Sequence, residues 1–115
     1  MVEGIGIDII EVERVKKLAE KNPRFLERIF TDREINYCSE KRNKYQHLAA
    51  RFAAKEAFFK AIGRRVGWRE VELINLPSGK PHLEIKSKER FSFEAAHVSI
   101  SHLAEYAVAT VILDK

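Results

Sequence analysis

The sequence has few of the features that characterise secreted, membrane-spanning or zinc-binding proteins. Its one cysteine, Cys38, excludes a disulfide within the chain, and its four histidines show no zinc-finger spacing with it. No apolar run approaches the roughly 18 residues of a membrane-spanning helix, and strand-like residues stand where a signal peptide would have a basic and then an apolar segment. We therefore expect a reduced, cytoplasmic protein without a membrane partner.

A concentrated basic arm is also missing, although the net charge is +4. The 21 lysines and arginines are interleaved with 17 acidic residues, and no aromatic series suited to base stacking accompanies them. This pattern argues against a nucleic-acid partner and leaves phosphate groups or an acidic protein surface as candidates. With 45% hydrophobic residues in 115, the chain is expected to form one domain over 1–115 with a single core.

Alternation of apolar and small residues predicts a strand over 2–10. Ile5, Ile7 and Ile9 share one face of it. Asp8 lies on the other face beside Gly4 and Gly6, and glycine within a strand often marks close approach of a ligand or of another backbone. Asp8 is therefore either a site residue or only a cap for the helix that follows.

A short amphipathic helix is predicted over 11–22. Val12, Val15, Leu18 and Ala19 are expected to face inward. The opposite face is mostly basic and includes Arg14. Such a face is usually solvated, and its functional alternative is a docking surface for an acidic partner.

The middle of the chain is predicted to be helical. Thr31 and Glu34 have the spacing of a capping box, in which threonine and glutamate each satisfy the other's backbone donor. A long central helix follows over about 45–62 and ends at Gly63, a residue suited to a left-handed cap. Small residues recur every four positions along it and favour close packing: Ala49, Ala53, Ala57 and Ala61.

Two charged residues lie one turn apart on this helix. Glu56 and Lys60 either form an ordinary salt bridge worth about 0.2–0.5 kcal/mol or belong to a site.

Antiparallel hairpins are predicted toward the C-terminus, with strands over 71–76 and 82–85 and then over 97–102 and 106–113. Lys80 lies in the turn of the first hairpin, and His102 ends the first strand of the second. Lys80 could be only a surface lysine of the turn, and His102 only a structural histidine. The predicted fold is therefore α+β, with a leading strand, a helical middle and C-terminal hairpins.

These residues suggest one phosphate site. Asp8 and Glu56 supply the oxygen ligands that Mg²⁺ prefers, and a lysine beside them would neutralise a phosphate.

Four motifs, in this order along the chain, resemble the 4′-phosphopantetheinyl transferase family in its small bacterial type, the holo-[acyl-carrier-protein] synthases. They are Gly4-Ile5-Gly6-Ile7-Asp8-Ile9, Arg51-Phe52-Ala53-Ala54-Lys55-Glu56-Ala57 with Lys60 and Gly63, Gly79-Lys80-Pro81, and Val98-Ser99-Ile100-Ser101-His102. The resemblance covers nearly the whole chain.

The resemblance implies that a serine of apo acyl carrier protein attacks the β-phosphate of coenzyme A, in support of fatty acid biosynthesis. The phosphopantetheine arm moves to the serine, and adenosine 3′,5′-bisphosphate leaves. Mg²⁺ is the implied ion, with Mn²⁺ as its alternative. The nucleophile belongs to the partner, in keeping with the lack of a Ser/His or Cys/His pair here.

Matching positions imply a role for each candidate. Asp8 and Glu56 correspond to the metal ligands and, with Lys60, to the catalytic residues. Coenzyme A contacts are implied for Arg51, Lys60, Gly63, Lys80, Pro81 and His102. Contacts with the carrier protein are implied for Arg14 and Arg24, and a homotrimer with sites between subunits is implied as well. Either Glu56 or a metal-bound water would take the serine proton.

The chain departs from the family pattern at four positions close to these motifs: Phe59, Arg64, Arg65 and Leu103. A serine is common at the first, small residues at the next two, and threonine or an acidic residue at the last. Local contacts to the nucleotide should differ here.

Overall fold

Four α-helices lie between a leading strand and four later strands, in the order that the sequence predicts. In this computed structural model, which describes residues 1–115, the strands are β1 (Val2–Glu11), β2 (Val71–Asn75), β3 (Pro81–Ile85), β4 (Ala95–His102) and β5 (Tyr106–Asp114). The helices are α1 (Val12–Lys21), α2 (Phe25–Ile29), α3 (Asp32–Ser39) and α4 (Lys44–Ile62), and 3₁₀ turns occupy Trp68–Glu70 and Lys88–Arg90. No helix is both long enough and apolar enough to cross a membrane.

The strands form two antiparallel sheets. Strand β5 lies in the middle of a three-stranded sheet of order β1-β5-β4, while β2 and β3 form a separate hairpin. The first and last parts of the chain thus share one sheet, so that Asp8 is paired with Ala109. The predicted α+β class with C-terminal hairpins is confirmed.

Helix α4 packs across one face of the three-stranded sheet, and the glycines of β1 make this possible. A Cβ atom at Gly6 would collide with the carbonyl oxygen of Ala57, and one at Gly4 with that of Ala61. Ala53 and Ala57 are fully buried on the helix side of the contact. Small residues on both elements therefore allow the two backbones to approach closely.

The opposite face of β1 is exposed. Ile5, Ile7 and Ile9 lie on it, each with about 60–65% of its surface accessible. This reverses the usual arrangement in which the apolar side of a strand faces the core. The isoleucine face continues onto β5, where Ile5 is paired with Ile112 and Ile9 with Val108.

The local signals in the helical middle are confirmed. Thr31 Oγ1 accepts from the Glu34 backbone N–H at 3.2 Å, and Glu34 Oε1 accepts from the Thr31 backbone N–H at 3.0 Å. Gly63 ends α4 in the left-handed region with φ of 78°, which costs glycine little. In α1, Val12 and Val15 are buried and Ala19 packs against the core while partly buried, as predicted. The predicted inward position of Leu18 is wrong, because its side chain lies on the exposed side of the helix.

Candidate phosphate-binding site

Asp8 and Lys60 meet because β1 lies against the C-terminal half of α4. Asp8 shares the inner face of β1 with Gly6, and without glycine there the strand could not come close enough to the helix. Lys60 Nζ donates to the carbonyl oxygen of Ile7 at 2.9 Å and to Asp8 Oδ1 at 3.2 Å. The aspartate is thus a partner of Lys60 rather than the cap of helix α1, whose first turn has no side-chain cap.

Asp8 lies in an environment that disfavours its own charge. Burial raises the pKa of its carboxyl above the ordinary value, and the negative charge of Glu56 nearby adds to that rise. The hydrogen bond and positive charge of Lys60, and more weakly the charge of Arg14, act in the opposite direction. A cation placed between the two carboxylates would stabilise both.

Glu56 does not form the predicted alternative salt bridge with Lys60. Its carboxylate is held instead by Arg65, with Nη1 to Oε1 at 3.0 Å and Nη2 to Oε2 at 3.3 Å. The guanidinium lies 5.5 Å from the ring centroids of Phe59 and of Trp68. Each carboxylate of the site therefore has its own cationic partner.

The donor set suits a divalent cation that shares its coordination with a substrate. Asp8 and Glu56 are the acidic groups that meet here, and no group of three or more Asp, Glu, His or Cys residues that could hold a metal occurs in the fold. Mg²⁺ commonly takes one or two carboxylates and completes its shell with water and phosphate oxygens. The two residues fit such an ion, whereas a structural zinc site would need more ligands.

A second cluster surrounds the N-terminal half of α4. The guanidinium of Arg51 is buried, lies over the ring of Tyr37 and donates through Nη2 to Asn75 Oδ1 at 2.7 Å, while its Nε has no hydrogen-bond partner. Asn75 Nδ2 donates in turn to the carbonyl oxygen of Gly79 at 3.1 Å. Arg51 is thereby linked to the hairpin turn that carries Lys80 and Pro81.

His102 joins this second cluster from the end of β4. Its Nδ1 lies 2.9 Å from Gln46 Oε1, and its ring lies 5.0 Å from that of His47. Burial lowers the pKa of His47, and the neighbouring charges of His102 and Arg51 lower it further. The histidine pair is therefore half-buried beside Arg51, whose Nη1 donates to the His47 carbonyl oxygen at 3.4 Å.

The two clusters lie on opposite sides of α4. Arg51 and Lys60 are nine residues apart, which in an α-helix corresponds to about 14 Å along the axis and about half a turn around it. Gly63 lies with the Asp8 cluster, just beyond Lys60. A single chain therefore separates the predicted coenzyme A residues into two groups, with Lys60 and Gly63 in one and Arg51, Lys80, Pro81 and His102 in the other.

The predicted carrier-binding arginines are both exposed. Arg14 lines a shallow groove of about 310 Å³ along α1, whose other lining residues are Glu11, Glu13, Lys17, Leu18 and Lys21. The exposed Leu18 gives this basic surface an apolar element. Arg24 precedes α2, where its backbone N–H donates to Asn22 Oδ1 at 3.1 Å.

Two features of the site were not predicted from sequence. Arg65 is expected only to depart from the family pattern, although a residue two positions past the Gly63 turn can fold back over the last turns of the helix. No role is predicted for Lys55, yet it is fully buried and its Nζ lies 2.7 Å from Glu34 Oε1. A cavity of about 570 Å³ between β3 and β4 contains none of the candidate residues.

Comparison with known proteins agrees with the resemblance. The model of the 4′-phosphopantetheinyl transferase superfamily matches residues 4–111. A holo-[acyl-carrier-protein] synthase of Listeria monocytogenes is 43% identical over 120 residues, which cover 99% of this chain and 99% of the relative. The crystal structure of the Bacillus anthracis synthase in complex with coenzyme A (3′,5′-ADP) superposes with a TM-score of 0.86 at 40% identity, covering 100% of this chain and 98% of the other. The synthase of Neisseria meningitidis gives a TM-score of 0.91 at 30% identity, with complete coverage of both chains.

Proposed function

Because the chain belongs to the 4′-phosphopantetheinyl transferase superfamily, we propose that it is a holo-[acyl-carrier-protein] synthase that transfers 4′-phosphopantetheine from coenzyme A to a serine of apo acyl carrier protein. The observation that carries this proposal is the meeting in one cleft of Asp8 from β1 with Glu56 and Lys60 from α4, although Asp8 and Lys60 are 52 residues apart along the chain. The whole chain, 1–115, would act as one transferase domain in the cytoplasm and would serve fatty acid biosynthesis.

The reaction is a displacement at phosphorus. The serine oxygen forms a bond to the β-phosphorus of coenzyme A, and the bond from that phosphorus to the bridging oxygen breaks. The bridging oxygen leaves with adenosine 3′,5′-bisphosphate, and the serine proton passes to a base, for which Glu56 is this chain's own candidate. The protein contributes mainly position and charge to such a transfer.

Asp8 and Glu56 would hold Mg²⁺, or alternatively Mn²⁺, against the diphosphate. When bound, the ion supplies Lewis-acid neutralisation of the charge that develops on the phosphate oxygens. Lys60 already extends over Asp8 and would donate to a phosphate oxygen while it holds that carboxylate in place.

The separation of the two clusters supports a homotrimer with sites between subunits. Arg51, Lys80, Pro81 and His102 would bind the nucleotide of a coenzyme A molecule whose diphosphate reaches Lys60 and Gly63 of a neighbouring copy. The orphaned Nε of the buried Arg51 is a donor suited to such an anion. The exposed face of Ile5, Ile7 and Ile9 offers the apolar surface that a permanent interface needs.

The basic surface of α1 and α2 supports the choice of an acidic partner. Arg14 is close enough to Asp8 to lower its pKa, so a partner bound on this surface would lie beside the cleft. Arg14 and Arg24 would bind the carrier protein and present its serine to the diphosphate.

The test is to incubate the protein with apo acyl carrier protein, coenzyme A and Mg²⁺ and to follow the carrier's mass. We expect one phosphopantetheine adduct per carrier, and none when coenzyme A is omitted or when the carrier's serine is replaced by alanine. No adduct with either Mg²⁺ or Mn²⁺ would refute the proposed activity. Sedimentation of the free protein tests the trimer independently.

A further inference from the structure

Arg65 binds the carboxylate that a cation at this site would need as a ligand. It follows the Gly63 turn by two residues and folds back over the last turns of α4, where both of its terminal nitrogens engage the Glu56 carboxylate. This bidentate arrangement is the strongest geometry that an arginine and a carboxylate form. Glu56 is therefore already neutralised when no divalent ion is bound.

The two partners of this ion pair differ in their freedom to move. The Glu56 side chain is 17% exposed and is carried by the long helix, whereas the Arg65 side chain is 64% exposed and is carried by a loop. The rings of Phe59 and Trp68 contact each other and both lie on one side of the guanidinium. Arg65 can thus leave the carboxylate by rotating about its own side-chain bonds, without any change in the core.

A diphosphate offers Arg65 an alternative partner. Phosphate oxygens accept from a guanidinium in the same paired geometry as a carboxylate, and they carry comparable charge. A bare divalent cation has no such means of removing Arg65, and its approach to Glu56 is opposed by the positive charge in contact with that group. The occupied carboxylate therefore favours entry of the cation together with a diphosphate.

We propose that Arg65 is a displaceable counter-ion that holds Glu56 in the free protein and moves onto the diphosphate of coenzyme A when the substrate binds. Glu56 then becomes a ligand of the cation, so cation binding depends on coenzyme A. This role rests on the proposed transferase function. It is particular to a chain with arginine at this loop position.

The test compares Arg65→Gln with Arg64→Gln. The two variants lose the same charge at adjacent positions, but Arg64 lies 5.1 Å from the ring centroid of Phe91 and does not contact Glu56. Mn²⁺ is titrated into the protein without coenzyme A and is followed by calorimetry or by its paramagnetic resonance. Coenzyme A is then titrated in the presence of Mg²⁺.

We expect Arg65→Gln to bind Mn²⁺ roughly tenfold more tightly than the unchanged protein in the absence of coenzyme A, because a cation in contact with the ligand has been removed. Its affinity for coenzyme A should fall roughly tenfold, since a phosphate contact is lost. Arg64→Gln should change either affinity by less than about twofold, because a more distant exposed charge is screened.

Three outcomes would overturn the proposal: an unchanged Mn²⁺ affinity in Arg65→Gln, an unchanged coenzyme A affinity, or equal effects in the two variants. The carrier mass assay on the unchanged protein separates this failure from failure of the proposed function. If the unchanged protein transfers phosphopantetheine and the variants behave alike, only the role of Arg65 is wrong. If the unchanged protein neither binds coenzyme A nor modifies the carrier, the transferase function itself is wrong.

Discussion

Lys55 and Glu56 are neighbours on α4, yet Lys55 belongs to a buried structural ion pair and Glu56 to the proposed binding site. Lys55 is fully buried, where its Nζ contacts Glu34 and donates to the carbonyl oxygens of Ile29 at 2.8 Å and of Trp68 at 3.0 Å. Glu56, about 100° further around the helix, faces the cleft and is held by the exposed Arg65. One ion pair joins structural elements permanently, and the other can exchange its partner.

Burial determines which of these charges are available for binding. The buried pair has all its partners within the protein, since Glu34 also accepts from the Leu73 backbone N–H at 2.9 Å and from that of Thr31. Burial lowers the pKa of Lys55, and the charge of Glu34 counteracts this effect. The cleft pairs, Asp8 with Lys60 and Glu56 with Arg65, each keep one exposed cationic partner. A ligand can therefore compete for the cleft pairs but not for the buried pair.

The largest effect on stability is expected from Lys55→Met. It leaves the Glu34 carboxylate buried without its counter-ion, which should cost about 3–5 kcal/mol in the free energy of unfolding measured with urea. Lys60→Met is the matched control on the same helix and should cost less than about 1 kcal/mol because that lysine is exposed. Equal losses in the two variants would remove the distinction between the buried and the cleft pairs.

Glu56→Gln, at the neighbouring position, should lower the rate of transfer and leave the stability of the fold nearly unchanged. We expect transfer to the carrier to fall about 10²–10³-fold, as when a group that stabilises transition-state charge is removed. The free energy of unfolding should fall by less than about 1 kcal/mol, because the partner that Glu56 loses, Arg65, is exposed to solvent. Glu20→Gln, an exposed change of the same type on α1, is the control for a general loss of negative charge. Full activity in Glu56→Gln would exclude it from the proposed metal site.

Gly6→Ala tests the contact that brings Asp8 to α4. The added methyl group would meet backbone atoms of Ala57, which cannot move aside as a side chain can, and should cost about 1–3 kcal/mol. Gly67→Ala is the control because its nearest neighbour is the flexible side chain of Glu70 and its φ of −60° suits alanine. Equal unfolding midpoints for the two variants would contradict the close approach of β1 and α4.

Arg14→Ala should have a smaller, selective effect. Loss of one exposed charge from the proposed docking surface is expected to raise the KM for the carrier protein about fivefold, with little change in the KM for coenzyme A. Lys86→Ala removes the same charge from an exposed position on the β2–β3 side and should leave both values near those of the unchanged protein. A rise in the KM for coenzyme A alone would place Arg14 in the nucleotide site instead.

The smallest effect is expected in the pH dependence of stability, which involves His47 of the second cluster. Because the pKa of His47 is lowered in the folded protein, the unfolded chain binds more protons between that lowered value and about 6.5. The free energy of unfolding should therefore rise with pH across this window and fall on acidification. His47→Gln should flatten the dependence, whereas His82→Gln on the exposed hairpin should not. An unchanged slope in His47→Gln would show that other groups cause it.

Much of the fold could be predicted because its signals are local. The capping box at Thr31 and the left-handed cap at Gly63 depend on residues within one helical turn, and both are confirmed. The predicted strand around Asp8 is also confirmed. The sequence did not show which face of β1 is buried, because this depends on what packs against the strand. Here the alanines of α4 pack closely against it, so the glycine face is turned inward.

Short-range spacing and motif order were enough to predict the elements, the family, and the carboxylates and lysine on which the proposed site rests. Which cation holds which carboxylate is known from the packed fold alone. Lys60 reaches Asp8 across 52 residues, and Arg65 turns back onto Glu56. Lys55, beside Glu56 in sequence, is sealed in the core. Such pairings depend on how strands, helices and loops pack in three dimensions, where contacts between distant residues outweigh nearness along the chain.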